Sequence, residues 1–84
     1  MIFKSWKQAG IDGDIELALR SMGRHDTSVF KNAEVKAAIR NASDYLLVMC
    51  PDGRRAPDYN FWLRSARDEV SSLCDLVYLR GLIG

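Results

Sequence analysis

The sequence predicts an all-α fold: a small three-helix bundle built on a long antiparallel helical hairpin, with an extended N-terminal arm and residues 1–84 forming one helical domain. Three observations carry this. Val35, Ile39, Ala42, Leu46 and Met49 recur at steps of 4, 3, 4 and 3, the repeat of one face of an α-helix. Tyr59, Leu63, Ala66, Val70, Leu73 and Val77 recur at steps of 4, 3, 4, 3 and 4, a still longer stripe of the same kind. The two stripes are separated by PDGRRAP, and a connection that short sets consecutive helices antiparallel.

Taken in chain order, MIFKSW has strand-like residues without a certain partner strand and is expected to dock as an extended arm. GIDGD then reads as two turn signals, with Asp12 or Asp14 capping a first helix whose apolar residues are Ile15, Ala18, Leu19 and Met22. Gly23 closes that helix as a C-terminal cap. After RHDT, Thr27 or Ser28 caps the second helix. Phe30, Ala33, Ala37 and Val48 form a second apolar stripe on it, about 160 to 220° from the first at 100° per residue. A helix apolar on two sides is sandwiched, so this one is expected to be central.

The run NASD at residues 41–44 consists of poor helix formers and marks an end, a kink or a fresh start. Pro51 stops what precedes it, Pro57 and Asp58 begin the third helix, and Gly81 terminates it. The alternative is an α+β fold in which YLLVMC is a strand, PDG turns a short hairpin over 45–56, and IFKSW supplies a third strand.

Composition narrows function more by exclusion than by indication. Twelve Lys and Arg against eleven Asp and Glu leave a net charge of +1, too little to steer the whole chain onto a polyanion. The longest apolar run, Tyr45 to Cys50, is far short of a membrane span. MIFKSWKQAG lacks the layout of a signal peptide. A cytoplasmic protein without membrane association is expected.

Cys50 and Cys74 have neither CxxC spacing nor the numbers for a disulfide framework, and read as reduced, buried, small hydrophobes. The only histidine, His25, stands in a polar loop and reads as solvated. Asp12, Asp14 and Glu16 alternate as in a calcium loop, but Leu17 occupies the glycine position and Gly23 the position of the bidentate Glu. No phosphate loop, GxGxxG or GxSxG is present. The expectation is no enzyme, no catalytic residues, no cofactor and no metal.

What remains is the corner. LLVMCPDGRRAPDYNFWLR gathers Arg54, Arg55, Phe61, Trp62 and Arg64, and Arg with large aromatics are the residue types enriched in interface hot spots. Phe61 lies about 200° round its helix from Tyr59, on a broad side with Ser65, Ser72, Leu76 and Leu79. An exposed apolar side on so small a chain points to a partner. The candidate partner-binding residues are therefore Arg54, Arg55, Phe61, Trp62, Arg64, Leu76 and Leu79.

The function expected is a small non-enzymatic protein–protein interaction module, an inhibitor, adaptor or regulator of a larger protein. By size alone the chain is analogous to immunity proteins, antitoxins and phage-encoded or mobile-element accessory proteins. A homodimer is the second partner the sequence allows. The alternative function is a nucleic-acid-binding regulator using Lys31, Lys36 and Arg40 or the cluster of Arg54, Arg55, Arg64 and Arg67. Spatial convergence discriminates the two: four arginines free of Asp58 and Asp68 favour phosphate, and neutralised arginines beside a bare Phe61 favour a protein.

Overall fold

The computed structural model describes residues 2–83, with side chains at 10–81. Three α-helices make the fold: α1 (Ile2–Ser21), α2 (Ala33–Met49) and α3 (Tyr59–Ile83). Short 3₁₀ helices at Thr27–Lys31 and Gly53–Arg55 occupy the two connections. No strand occurs among the described residues, so residues 45–49 continue α2 as helix, Cys50 ends it, and the alternative hairpin over 45–56 does not form. The arm expected at 1–6 falls on a stretch whose side chains lie outside the described residues; α1 as a whole runs from Ile2.

Each helix packs against both others. Ile11, Ile15 and Leu19 of α1, Val35, Ile39, Ala42 and Leu46 of α2, and Tyr59, Ala66, Val70 and Cys74 of α3 form the core. Val29 and Phe30 of the first 3₁₀ helix seal one end. The 25 residues of α3 rise about 1.5 Å each, which accounts for most of the 42 Å long dimension.

Several local expectations are corrected by this packing. Asp12 and Asp14 are not caps, because α1 passes straight through GIDGD. A glycine inside a helix costs about 1 kcal/mol relative to Ala, whereas burying an Ile side chain contributes about 1.5 to 3 kcal/mol. Ile11 and Ile15 are 5% and 0% exposed, so the burial on either side of Gly13 outweighs its propensity. The same competition carries α2 through NASD, where Ala42 and Ser43 are buried.

The second helix is capped neither by Thr27 nor by Ser28. Asp26 caps the 3₁₀ helix, its Oδ1 accepting from the Ser28 N–H at 2.9 Å, and that contact holds its carboxyl below the ordinary range. Asn32 then caps α2, its Oδ1 accepting from the N–H groups of Glu34 and Val35. Nor is α2 sandwiched, since Ala33, Ala37 and Val48 are all exposed and only Phe30 of that second stripe is buried. Gly81 does not end α3, which continues to Ile83.

Gly23 behaves as expected. Its φ of +68° is the left-handed conformation that only glycine adopts without strain, and it ends the hydrogen-bonded turn that closes α1, donating to the Arg20 carbonyl at 3.1 Å.

Candidate functional site

The corner between α2 and α3 is built by chain punctuation. Pro51 ends α2, with the Cys50 N–H donating to the Leu46 carbonyl at 2.8 Å. Gly53, at φ +65°, then turns the chain into the second 3₁₀ helix, whose last two residues are Arg54 and Arg55.

Arg54 reaches across to α1. Its Nε and Nη2 donate to Oδ2 and Oδ1 of Asp14 at 2.7 and 2.9 Å, and Nη2 also donates to the Gly10 carbonyl at 3.0 Å. A Cβ at position 10 would lie 3.3 Å from that Nη2, so glycine suits the close approach. The Tyr59 hydroxyl donates to the same carboxylate at 2.6 Å. Burial works to raise the Asp14 carboxyl, but the bonds from Arg54 and Tyr59 outweigh it and hold the group below the usual range. Burial, and then the Asp14 charge, push the Tyr59 phenol well above its ordinary value. Arg54 is therefore a clamp between the corner and α1, although its side chain remains 59% exposed.

The aromatic residues gather beside it. Trp62 Nε1 donates to Asp58 Oδ2 at 2.9 Å, fixing the indole, and both Phe61 and Tyr45 meet it edge-on at centroid distances of 5.0 and 6.1 Å. Such geometry is the favourable one for aromatic pairs. Phe61 nevertheless stays 66% exposed, and Val48 and Met49 are exposed close by in sequence to Tyr45. A groove of about 560 Å³ between Ala38, Asn41 and Tyr45 on α2 and Ser65, Glu69 and Leu73 on α3 includes Tyr45, the ring against Trp62.

Leu76 and Leu79 are exposed as well, but Leu76 lies 15 residues beyond Phe61, about 22 Å along the helix. The broad apolar side of the sequence thus becomes two separate ends. Arg55 and Arg64 are exposed. Arg64 and Arg67 turn toward α1, beside Ala18 and Ser21, and Arg67 is paired with Asp68 at 2.8 Å. Four free arginines on one face are not assembled.

His25 is the residue the sequence misplaces. Its side chain is 3% exposed, with Nδ1 3.5 Å from Asp75 Oδ1 and Nε2 2.7 Å from Ser71 Oγ. Ser71 and Asp75 are one turn apart on α3, and Arg24 holds Asp75 at 2.7 Å. The residue types are those of a hydrolytic triad, but the arrangement does not serve that chemistry. Ser71 is 4% exposed within an unbroken helix, without the sharp turn that presents a nucleophile. Asp75 is drawn to Arg24, and its contact with the imidazole is longer than an orienting hydrogen bond. The cluster fastens the loop after α1 onto α3. A signal was available: Ser71 falls among core positions at the i−4 place from Asp75, and a buried serine seeks a local partner.

A second depression of about 650 Å³, with Asp26, Val29, Tyr78 and Leu79 among its walls, opens beyond this cluster. Both cysteines are free and buried, and burial raises both thiols, helped by Asp58 at Cys50 and by Asp75 at Cys74. A raised thiol is a poor nucleophile at neutral pH. Among the described residues no three His, Cys, Asp or Glu side chains stand close enough to hold a metal ion. No helix among them is long and apolar enough to cross a membrane. Comparison of the chain with protein-family models, with curated proteins and with solved structures found no match.

Proposed function

We propose that this protein is a small non-enzymatic protein–protein interaction module that acts as an inhibitor, adaptor or regulator of a larger protein. The contact surface is the aromatic corner: Phe61 and Trp62 at its centre with Tyr45 beside them, and Arg55 exposed in the connection that leads into it. The observation that carries the reading is Phe61, 66% exposed and stacked edge-on against a Trp62 that is itself fixed by Asp58. A bare ring held against a fixed, partly buried Trp62 gives contact area with little further loss of side-chain entropy on binding.

A protein ligand is favoured over nucleic acid by the state of the arginines. Arg54 is engaged by Asp14 and Arg67 by Asp68, which leaves their charges compensated where a phosphate backbone would need them free. Leu76 and Leu79 belong to the other end of α3 and are assigned no part in this contact.

The test is affinity purification of the tagged protein from the cells that make it, divided into nuclease-treated and untreated halves. The expected result is a stoichiometric protein retained in both halves. Co-purification that disappears with nuclease would replace this reading by the nucleic-acid one.

A further inference from the structure

The groove of about 560 Å³ between α2 and α3 has apolar sides, Ala38 and Leu73 among them, and Glu69 as the one charged side chain in its walls. Glu69 is exposed, and among the described residues no Lys, Arg or His forms an ion pair with it. Asn41 and Ser65 line the same groove, and among the described residues their side chains have no hydrogen-bond partner. The groove therefore offers a carboxylate, an amide oxygen and a hydroxyl oxygen as acceptors, with the 46% exposed ring of Tyr45 beside them.

We propose that this groove receives an arginine side chain of the protein partner. The proposal rests on the interaction-module reading and specifies what the partner presents. Charge complementarity selects a cation, and no described cation of this chain supplies it. Lys36 and Arg40 each lie about 160° round α2 from Ala38. Arg64 and Arg67 turn toward α1. Arg80 is held by Glu34, 11 residues beyond Glu69 and so about 16 Å farther along α3.

Shape and donor count select arginine. A guanidinium has five N–H donors and no acceptor, which suits three acceptors, and its plane can lie on an aromatic ring while its edge forks onto a carboxylate. Its aliphatic stem suits the apolar sides. The fold already contains that combination once, at the corner with α1: Arg54 forks onto Asp14 and bonds the Gly10 carbonyl, with Tyr59 on the same carboxylate. Glu69 is 8 residues from Phe61, about 12 Å along the helix, so one partner segment can cover Phe61 and still place an arginine in the groove.

The test uses the purified full chain, labelled with ¹⁵N and titrated with Nα-acetylarginine methylamide at constant ionic strength. Amide shifts are expected at Asn41, Tyr45, Ser65, Glu69 and Leu73. The citrulline counterpart, equal in shape and uncharged, should produce none, and the lysine counterpart should bind more weakly. Glu69→Gln should weaken the arginine probe by about ten- to a hundredfold with circular dichroism unchanged, whereas Asp68→Asn, an acid off the groove, should leave it unaltered. Shifts absent from the groove, shared equally with the citrulline or lysine probe, or unchanged in Glu69→Gln would each overturn the proposal. A captured partner that is lost in Phe61→Ser and fully retained in Glu69→Gln would also overturn it, and would leave the interaction-module reading standing. A chain that captures no protein yet binds the probe as described would fail that reading and uphold the arginine groove.

Discussion

Replacing Asp14 by Ala removes the one carboxylate on which the corner and α1 meet. Tyr59 is 6% exposed, and its hydroxyl donates to Asp14 at 2.6 Å, so the variant leaves a nearly buried donor without its charged acceptor. Hydrogen bonds to charged groups contribute about 1.5 to 3 kcal/mol. The Arg54 pair adds less, because the guanidinium is 59% exposed and exposed ion pairs contribute about 0.2 to 1 kcal/mol. The expected loss is about 2 to 3 kcal/mol, which for a domain of this size lowers Tm by about 10 to 20 °C.

The loss also depends on pH in a definite direction. The Asp14 carboxyl titrates below its ordinary 3.8 in the folded chain, so its contribution is fully present above that value and disappears as the pH falls through the folded-state pKa. Wild type and Asp14→Ala should therefore differ most near neutrality and draw together only as the pH falls below 3.8 toward the folded-state pKa. Urea unfolding followed by circular dichroism at neutral and acid pH measures both. A difference under about 0.5 kcal/mol at neutral pH, or one that is unchanged in acid, would refute the clamp.

Three further outcomes follow from the packing. Leu46→Ala, at a side chain that is 0% exposed, should cost about 2 to 5 kcal/mol in urea unfolding, whereas Leu76→Ala, 56% exposed, should stay within about 0.5 kcal/mol; the reverse order would invert the assigned faces. His25→Ala should cost about 1 to 3 kcal/mol by removing the partner of a buried serine, and should speed amide exchange in the loop after α1; unchanged exchange would mean the histidine fastens nothing. Gly13→Ala should stabilise α1 by about 0.5 to 1 kcal/mol, since no neighbouring atom lies within 4 Å of the added Cβ. Gly23→Ala should destabilise by about 1 kcal/mol because φ is +68°, and melting temperatures that shift the same way in both would contradict the backbone assignment.

The hairpin was legible because periodicity reports burial directly. Of the stripe from Tyr59 to Val77, Tyr59, Ala66 and Val70 are fully buried, and Leu63, Leu73 and Val77 pack against the core. Boundaries were less legible because local propensity competes with burial that only the fold defines. Gly10 to Asp14 looked like a turn and became helix once Ile11 and Ile15 had α2 and α3 to pack on. Asn32 and Asp26, rather than Thr27 or Ser28, cap the next elements, a choice between adjacent capping residues that spacing does not distinguish.

At the candidate site, the aromatic cluster could be read from YNFWLR, because Phe61 and Trp62 sit near one another on any helix that buries Tyr59. Long-range pairing could not. Arg54 finds Asp14 and His25 finds Ser71, 40 and 46 residues apart, and no local pattern encodes either contact. Hence a residue that looked like part of a binding surface is a clamp, and one that looked solvated is sealed inside.

The most direct test of the central claim is one capture experiment comparing wild type with Phe61→Ser, after circular dichroism has established equal helix content and Tm. The account predicts a protein partner retained by wild type through nuclease treatment and absent from the variant. A partner captured equally well by both would contradict it, and would place the contact away from the aromatic corner.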